Sequence, residues 1–326
     1  MKGFSSSALA DLSWATVLTA AIGLGMEYLP LGQLVLTPFL ALPLGYVAMR
    51  RGSVDAFVGA VIAGVLVWLG SEPGLAMLVF ALAAGVGIAL GNALRARWSF
   101  ASTVGLTAGV GVAVSLAWGL ALWLVMGVTW THVQQAFVQA VQDSSSLYTQ
   151  MGVSQATVTS MVDQARHMVS IAPYLAPGLL GAASILLVSC SAGLAYLIFP
   201  RLGSRTRSPL SLSRFRMHWS LAYVSIVGLA LLLFARGSGE WQSGLRYAGI
   251  DLLLVSQTLF FLQGLAVVHW FAVSRRWGRG ARGLSYAVAV VFFQFTGLAG
   301  LFDTWVDYRK RFAPKGPRSG PTSSNY

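Results

Sequence analysis

Residues 100–127 read FASTVGLTAGVGVAVSLAWGLALWLVMG, with no Asp, Glu, Lys, Arg or His at any position. A helix of that composition has no polar face to offer water. At about 1.5 Å per residue it is also longer than the roughly 30 Å hydrocarbon core of a bilayer. The run therefore reads as a spanning helix, the form in which a single segment satisfies its own backbone groups within lipid. Working outward from it, further apolar stretches fall at approximately 8–28, 30–49, 54–70, 74–94, 171–199, 218–235, 246–273 and 283–303. The fold class this predicts is all-α, a polytopic transmembrane helical bundle of eight or nine spans. The number depends on whether 283–303 crosses or is re-entrant around Gly297 to Gly300.

Composition agrees with that reading. The chain is 56% hydrophobic and only 10% charged, against about 25% charged in a soluble domain. Lys2 precedes the first apolar stretch without a small-residue cleavage site, so that stretch is expected to be a retained span and not a removed signal. Cys190 is the one cysteine and lies in an apolar run. It can form no internal disulfide and is expected to be a packing residue.

The net charge of +12 does not point to nucleic acid, because the basic residues sit in short clusters between apolar runs. Arg50 and Arg51 close the second run, and Arg95 and Arg97 close the fourth. Arg201, Arg205, Arg207, Arg214 and Arg216 follow the sixth. Arg275, Arg276, Arg279 and Arg282 follow the eighth. With one crossing per run, all four clusters share one side, which the positive-inside rule makes the cytoplasm. Some of these arginines are also suited to anionic headgroups. The tail breaks the pattern, since nine crossings put Arg309, Lys310, Arg311, Lys315 and Arg318 outside. Either Asp303 and Asp307 accompany it across, or the last run turns back. Beyond Ala313 the Pro, Gly and Ser content predicts disorder.

The segment 128–170 is too polar to span. Val133, Phe137, Ala140 and Val141 follow a helical stripe, as do Val158, Met161, Val162, Ala165, Met168 and Val169. Ser154 is a candidate N-cap, while Asp143 to Ser146 and Gly152 read as turn. The expectation is a two-helix amphipathic extracytoplasmic insert. The chain thus divides into an N-terminal five-helix membrane region (1–127), the insert (128–170), a C-terminal membrane region (171–312) and a tail (313–326). Small-residue pairs four apart, Gly87 with Gly91 and Gly105 with Gly109, predict close helix crossings. Pro30, Pro38 and Pro43 predict a broken second span whose freed carbonyls need other donors.

Catalytic signatures are missing from the sequence: no HExxH, CxxC, Walker loop or G-x-S-x-G occurs. His132, His167, His218 and His269 are scattered, and no metal set or cofactor is implied. Polar side chains within apolar runs carry the remaining signal, because lipid penalises them. The run 246–273 is richest, with Asp251, Ser256, Gln257, Thr258, Gln263 and His269. Asp251, Gln257 and Gln263 are the candidate ligand-binding residues. The alternative is that Asp251 pairs with Arg246, and that Gln257, Gln263 and Gln294 form interhelical hydrogen bonds.

Several stretches carry a resemblance. Asp251-Leu-Leu-Leu, the run from Phe260 through Gln263-Gly264 to Val268, and the ending Gly297-Leu-Ala-Gly300-Leu-Phe-Asp303-Thr-Trp305 resemble the YybS-like family of predicted bacterial membrane proteins. Pro38, Pro43 and Arg50-Arg51-Gly52 fit as well. The family is of unknown function. The resemblance implies a multi-pass protein of the bacterial inner membrane. It also implies N-terminal spans similar to the S-components of energy-coupling-factor vitamin transporters. Three functions follow as expectations. The first is a small-molecule binding or transport component, with a partner ATPase docking on the 201–216 and 275–282 loops. The second is a non-catalytic scaffold for other membrane proteins in envelope biogenesis. The third, ranked last, is an intramembrane enzyme.

Overall fold

A computed structural model describes residues 6–29, 31–127, 129–202, 215–237, 239–306 and 308–312. Pro30, Arg205, Arg207, Arg214, Asp307 and the tail 313–326 lie outside the described residues. Apolar runs become helices throughout, and no strand occurs among the described residues. In order they are α1 (Ser6–Tyr28), α2 (Gly32–Leu40), α3 (Leu42–Arg50), α4 (Ser53–Trp68), α5 (Pro73–Leu82), a π turn (Ala83–Gly87) and α6 (Ile88–Arg95). Then come α7 (Phe100–Met126), α8 (Trp130–Gln150), α9 (Gln155–Ile198), α10 (Leu221–Phe234), α11 (Glu240–Ser274), α12 (Arg279–Val291), α13 (Phe293–Val306) and α14 (Tyr308–Arg311).

Among the described residues six helices are long and apolar enough to cross a membrane, or seven if the bent pair α12–α13 counts as one. That is fewer than the eight or nine expected. The difference lies in α4 and α10, with 16 and 14 residues. At about 1.5 Å per residue these reach roughly 24 and 21 Å, short of the hydrocarbon core.

The chain forms two units, one comprising Met1–Leu210 and Leu231–Asp251, the other Ser211–Ala230 and Leu252–Tyr326. In the first unit, α1 packs on α2, α3 and α4, and α3 packs on α6. The second span is broken at Ala41, with Pro38 inside α2 and Pro43 in the first turn of α3. Ser191 Oγ of α9 donates to the Pro38 carbonyl at 2.7 Å, so the carbonyl at the break is met by a neighbouring helix. Gly87 and Gly91 sit against α3 so closely that a Cβ on Gly91 would lie 2.6 Å from the Ala48 side chain. Their expected crossing is therefore present. A Cβ added at Gly105 or Gly109 would meet nothing within 4 Å. Their spacing marks no crossing in this chain, because α7 turns that face outward.

The polar contacts of this unit sort into two ends. At one, Arg51 pairs with Asp11 at 2.7 Å, Asn92 donates to Ser53 at 3.0 Å and the Tyr46 hydroxyl reaches the Leu202 carbonyl at 3.1 Å. There too the Tyr196 hydroxyl donates to the Trp98 carbonyl at 3.0 Å. Arg50, Arg51, Arg95 and Arg201 thus share an end. At the other, the Tyr28 hydroxyl donates to Gly70 at 2.6 Å and the Trp118 indole to Gly74 at 3.1 Å.

Two boundaries differ from expectation. Asp143 to Ser146 is helix, not turn. Ser144 bonds back to the Ala140 carbonyl at 2.8 Å and Gln139 to Asp143 at 3.0 Å, so these polar residues support the helix they were expected to end. The reversal comes at Gly152, whose φ of +85° suits glycine. Ser154 caps α9 as expected, accepting from Thr157 N at 3.3 Å. The α9 helix then runs 44 residues, through Pro173 and Pro177, without a break at 170. Its amphipathic part and its apolar part are one rod. Within the stripe, Val158 and Val169 are buried, whereas Met161 and Met168 are 44% and 66% exposed. Cys190 is exposed too, contrary to a packing role; it lies between Ser189 and Ser191, which turn inward.

In the second unit, α12 and α13 meet at an angle of 98°. The break falls at Phe292 and not within Gly297 to Gly300, and a bend of this size fits either a broken span or a re-entrant loop. Thr296 Oγ1 donates to the Ala289 carbonyl at 2.8 Å and so satisfies a group the bend leaves free.

Candidate functional site

The three candidate residues all lie on α11, and the structure gives each a different neighbourhood. Asp251 belongs to the first unit and presses on Gly178 of α9, where a Cβ would fall 2.7 Å from the Asp251 Cα. One turn earlier on α9, Tyr174 stacks on Tyr247 with ring centroids 4.8 Å apart. The Asp251 Oδ1 is shut off from solvent without a well-formed hydrogen bond among the described residues. Arg246 does not pair with it. Its Nη2 donates to the Gly237 and Ala235 carbonyls at 3.2 and 3.4 Å, which ties down the link before α11.

Gln257 and Gln263 belong to the second unit. The Gln257 amide donates to the Gln294 carbonyl at 3.1 Å and fills the space beside Gly297. Gln263 is 1% exposed. Its Oε1 accepts from Met217 N at 3.1 Å and its Nε2 donates to Asp303 Oδ2 at 3.3 Å. The same carboxylate oxygen holds Arg309 Nη2 at 3.1 Å. This chain of bonds is possible because α11 and α13 approach backbone to backbone. Gly264 and Gly300 face each other, and a Cβ on Gly300 would lie 2.6 Å from Gly264 N. Elsewhere on α11, Ser225 donates to Ser256 at 2.9 Å, and His269 bonds with the Tyr286 hydroxyl at 2.6 Å.

From sequence alone, Asp303 and Arg309 read as charges bearing on topology and not as members of a buried network. The signal on offer is an acidic residue three positions after Gly300 within an apolar run. A spacing of six to its partner is not a helical contact spacing, and gives no hint of the pairing.

Four of the grooves formed by the described residues lie elsewhere. One of about 450 Å³ runs between α8 and α9, lined by Gln134, Gln135, Gln139, Gln142 and Arg166. An apolar one of about 670 Å³ lies among α11, α12 and α13. A third, about 290 Å³, is lined by Trp14, Phe39, Tyr46 and Phe199, and a fourth, about 490 Å³, by Val65, Trp68, Met77 and Phe80. Asp251, Gln257 and Gln263 line none of the four. Among the described residues no three His, Cys, Asp or Glu side chains gather as metal ligands would.

Residues 17–304 match a family model described as a predicted membrane protein (DUF2232). No curated protein matches the chain, and no solved structure does.

Proposed function

Taking as premise that the chain belongs to the DUF2232 family of predicted membrane proteins, we propose that it is a non-catalytic, multi-pass scaffold of the bacterial inner membrane that holds other membrane proteins. The observation that carries this reading is the engagement of Gln263, the most buried of the candidate polar groups. Both ends of its amide are bonded within the protein, to Met217 and Asp303. Gln257 is likewise bonded to Gln294. Groups bonded this way fix helices against one another; they do not await a solute.

In this reading the short helices α4 and α10 also cross, with the bilayer thinning to meet them. The count is then nine if α12–α13 completes a crossing and eight if it turns back. The arginine end of the first unit faces the cytoplasm, and the α8–α9 hairpin is extracytoplasmic.

A second reading rests on the α8–α9 groove. Four glutamines and Arg166 around about 450 Å³ offer hydrogen bonds to a polar solute. A capture component of that kind, similar to an S-component, needs a partner ATPase, for which the 201–216 and 275–282 loops supply docking charge.

Copurification of the full chain from native membranes separates the two. A stoichiometric membrane-protein partner, retained without an ATPase pair or a small molecule, supports the scaffold. Recovery of an ATPase pair together with a small molecule lost in Arg166→Ala supports capture and ends the scaffold reading.

A further inference from the structure

The α12 helix sets an amphipathic surface beside a basic turn. Arg275, Arg276 and Arg279 are exposed, and Arg282 is half-buried. None of the four side chains makes an ion pair or a hydrogen bond among the described residues, and the Arg282 Nε is closed off from solvent without a partner there. Four guanidinium groups within eight residues repel one another and attract anions. Immediately alongside lies the apolar groove of about 670 Å³, walled by Phe271, Trp277, Leu284, Val288 and Phe292. Leu284 and Val288 face it at helical spacing from α12. Its volume lies within the roughly 300–1,000 Å³ of ligand sites.

The bend supplies the orientation. The α12 axis stands at 98° to α13. Where α13 enters the bilayer along its normal, α12 therefore lies along the surface, with its apolar face toward the acyl chains and its arginines at headgroup level. Trp277 lines the groove, and tryptophan is a residue enriched at that depth. No arginine lines the groove itself, but Trp277 and Ala281, which do, alternate in sequence with the arginines of 275–282. A basic turn next to a dry groove matches one ligand chemistry, an anion joined to a hydrocarbon chain.

We propose that this groove is a specific site for an anionic phospholipid, with the phosphate held by the arginines of 275–282 and one acyl chain lying between Phe271 and Val288. Arg279 and Arg275 recognise the charge, and the groove excludes anions that lack a chain. The site needs neither of the two functions proposed above.

The test is native mass spectrometry of the full chain released from nanodiscs holding equal phosphatidylglycerol and phosphatidylcholine. Phosphatidylglycerol should be retained in preference. Arg275→Gln with Arg279→Gln should reduce that preference roughly thirtyfold, which corresponds to about 1 kcal/mol for each arginine near an anionic headgroup. Ala281→Phe, which fills the groove, should reduce retention without altering charge. Glycerol 3-phosphate should fail to displace the lipid. Equal retention of the two lipids, no change in the arginine variant, or displacement by glycerol 3-phosphate alone would each overturn the proposal. The two arginines are exposed, so their variant decides the matter even if Ala281→Phe fails to accumulate.

Discussion

Asp303 and Arg309 are held at 3.1 Å with side chains 1% and 5% exposed, on either side of the short interruption between α13 and α14. A buried pair of this kind adds little over an apolar pair of equal volume, but removing one partner leaves the other's buried charge without this counter-ion. Asp303→Leu or Arg309→Leu should therefore each cost about 3–5 kcal/mol. The double variant should recover much of the loss, and Gln263→Leu alone should cost about 1–3 kcal/mol. Unfolding in mild detergent by denaturant titration measures all four. Single variants as stable as the parent would show that the pair does not hold α14 to α13.

Glycine spacing yields a contrast. Gly91 and Gly300 abut another helix's backbone, whereas Gly105 and Gly109 face open space. Gly91→Val and Gly300→Val should abolish accumulation of folded protein. Gly105→Val and Gly109→Val should accumulate normally, although all four sit in apolar runs. Equal behaviour of the two pairs in a membrane-fraction assay would contradict this packing.

Ser191 is the donor to the carbonyl at the α2–α3 break. Interhelical hydrogen bonds in membranes average about 0.6 kcal/mol, so Ser191→Ala should destabilise by about that much. Ser191→Thr, which keeps the hydroxyl, should be closer to the parent. A larger loss for Thr than for Ala would show that packing, and not the donor, matters at this point.

Within α9, Val158→Asp and Val169→Asp should impair accumulation more than Met161→Asp. The valines are buried, while Met161 is 44% exposed. Pulse-chase of tagged variants gives the ranking, and a Met161 variant as unstable as the valine variants would place α8 on a different face of α9.

Sidedness is testable with single cysteines introduced into a Cys190→Ala background. Probes at Arg50, Trp98 and Arg276 should be shielded from impermeant reagent in intact cells, while probes at Ser71 and Gly152 should react. Labelling of Arg50 and Ser71 from the same side would be incompatible with the two-ended first unit.

The membrane character of the chain was legible because apolar runs are a one-dimensional property: no partner is needed to recognise residues 100–127. The break in the second span was legible for the same reason, since Pro38 and Pro43 act on their own helix. What the residues do across space was not. Asp143 to Ser146 reads as turn until Ser144 is seen to bond its own helix. Gln263 reads as either a ligand-binding or an interhelical amide, with no partner identifiable, until Met217 and Asp303 arrive from stretches 46 and 40 residues away. The break at Phe292 carries no proline or glycine signal at all.

The α9 helix has a mechanical consequence. Its 44 residues make a rod of about 66 Å, whereas a bilayer with its headgroups is about 40–45 Å thick. Unless it is steeply tilted, roughly 20 Å of this helix must therefore project beyond the membrane surface into water.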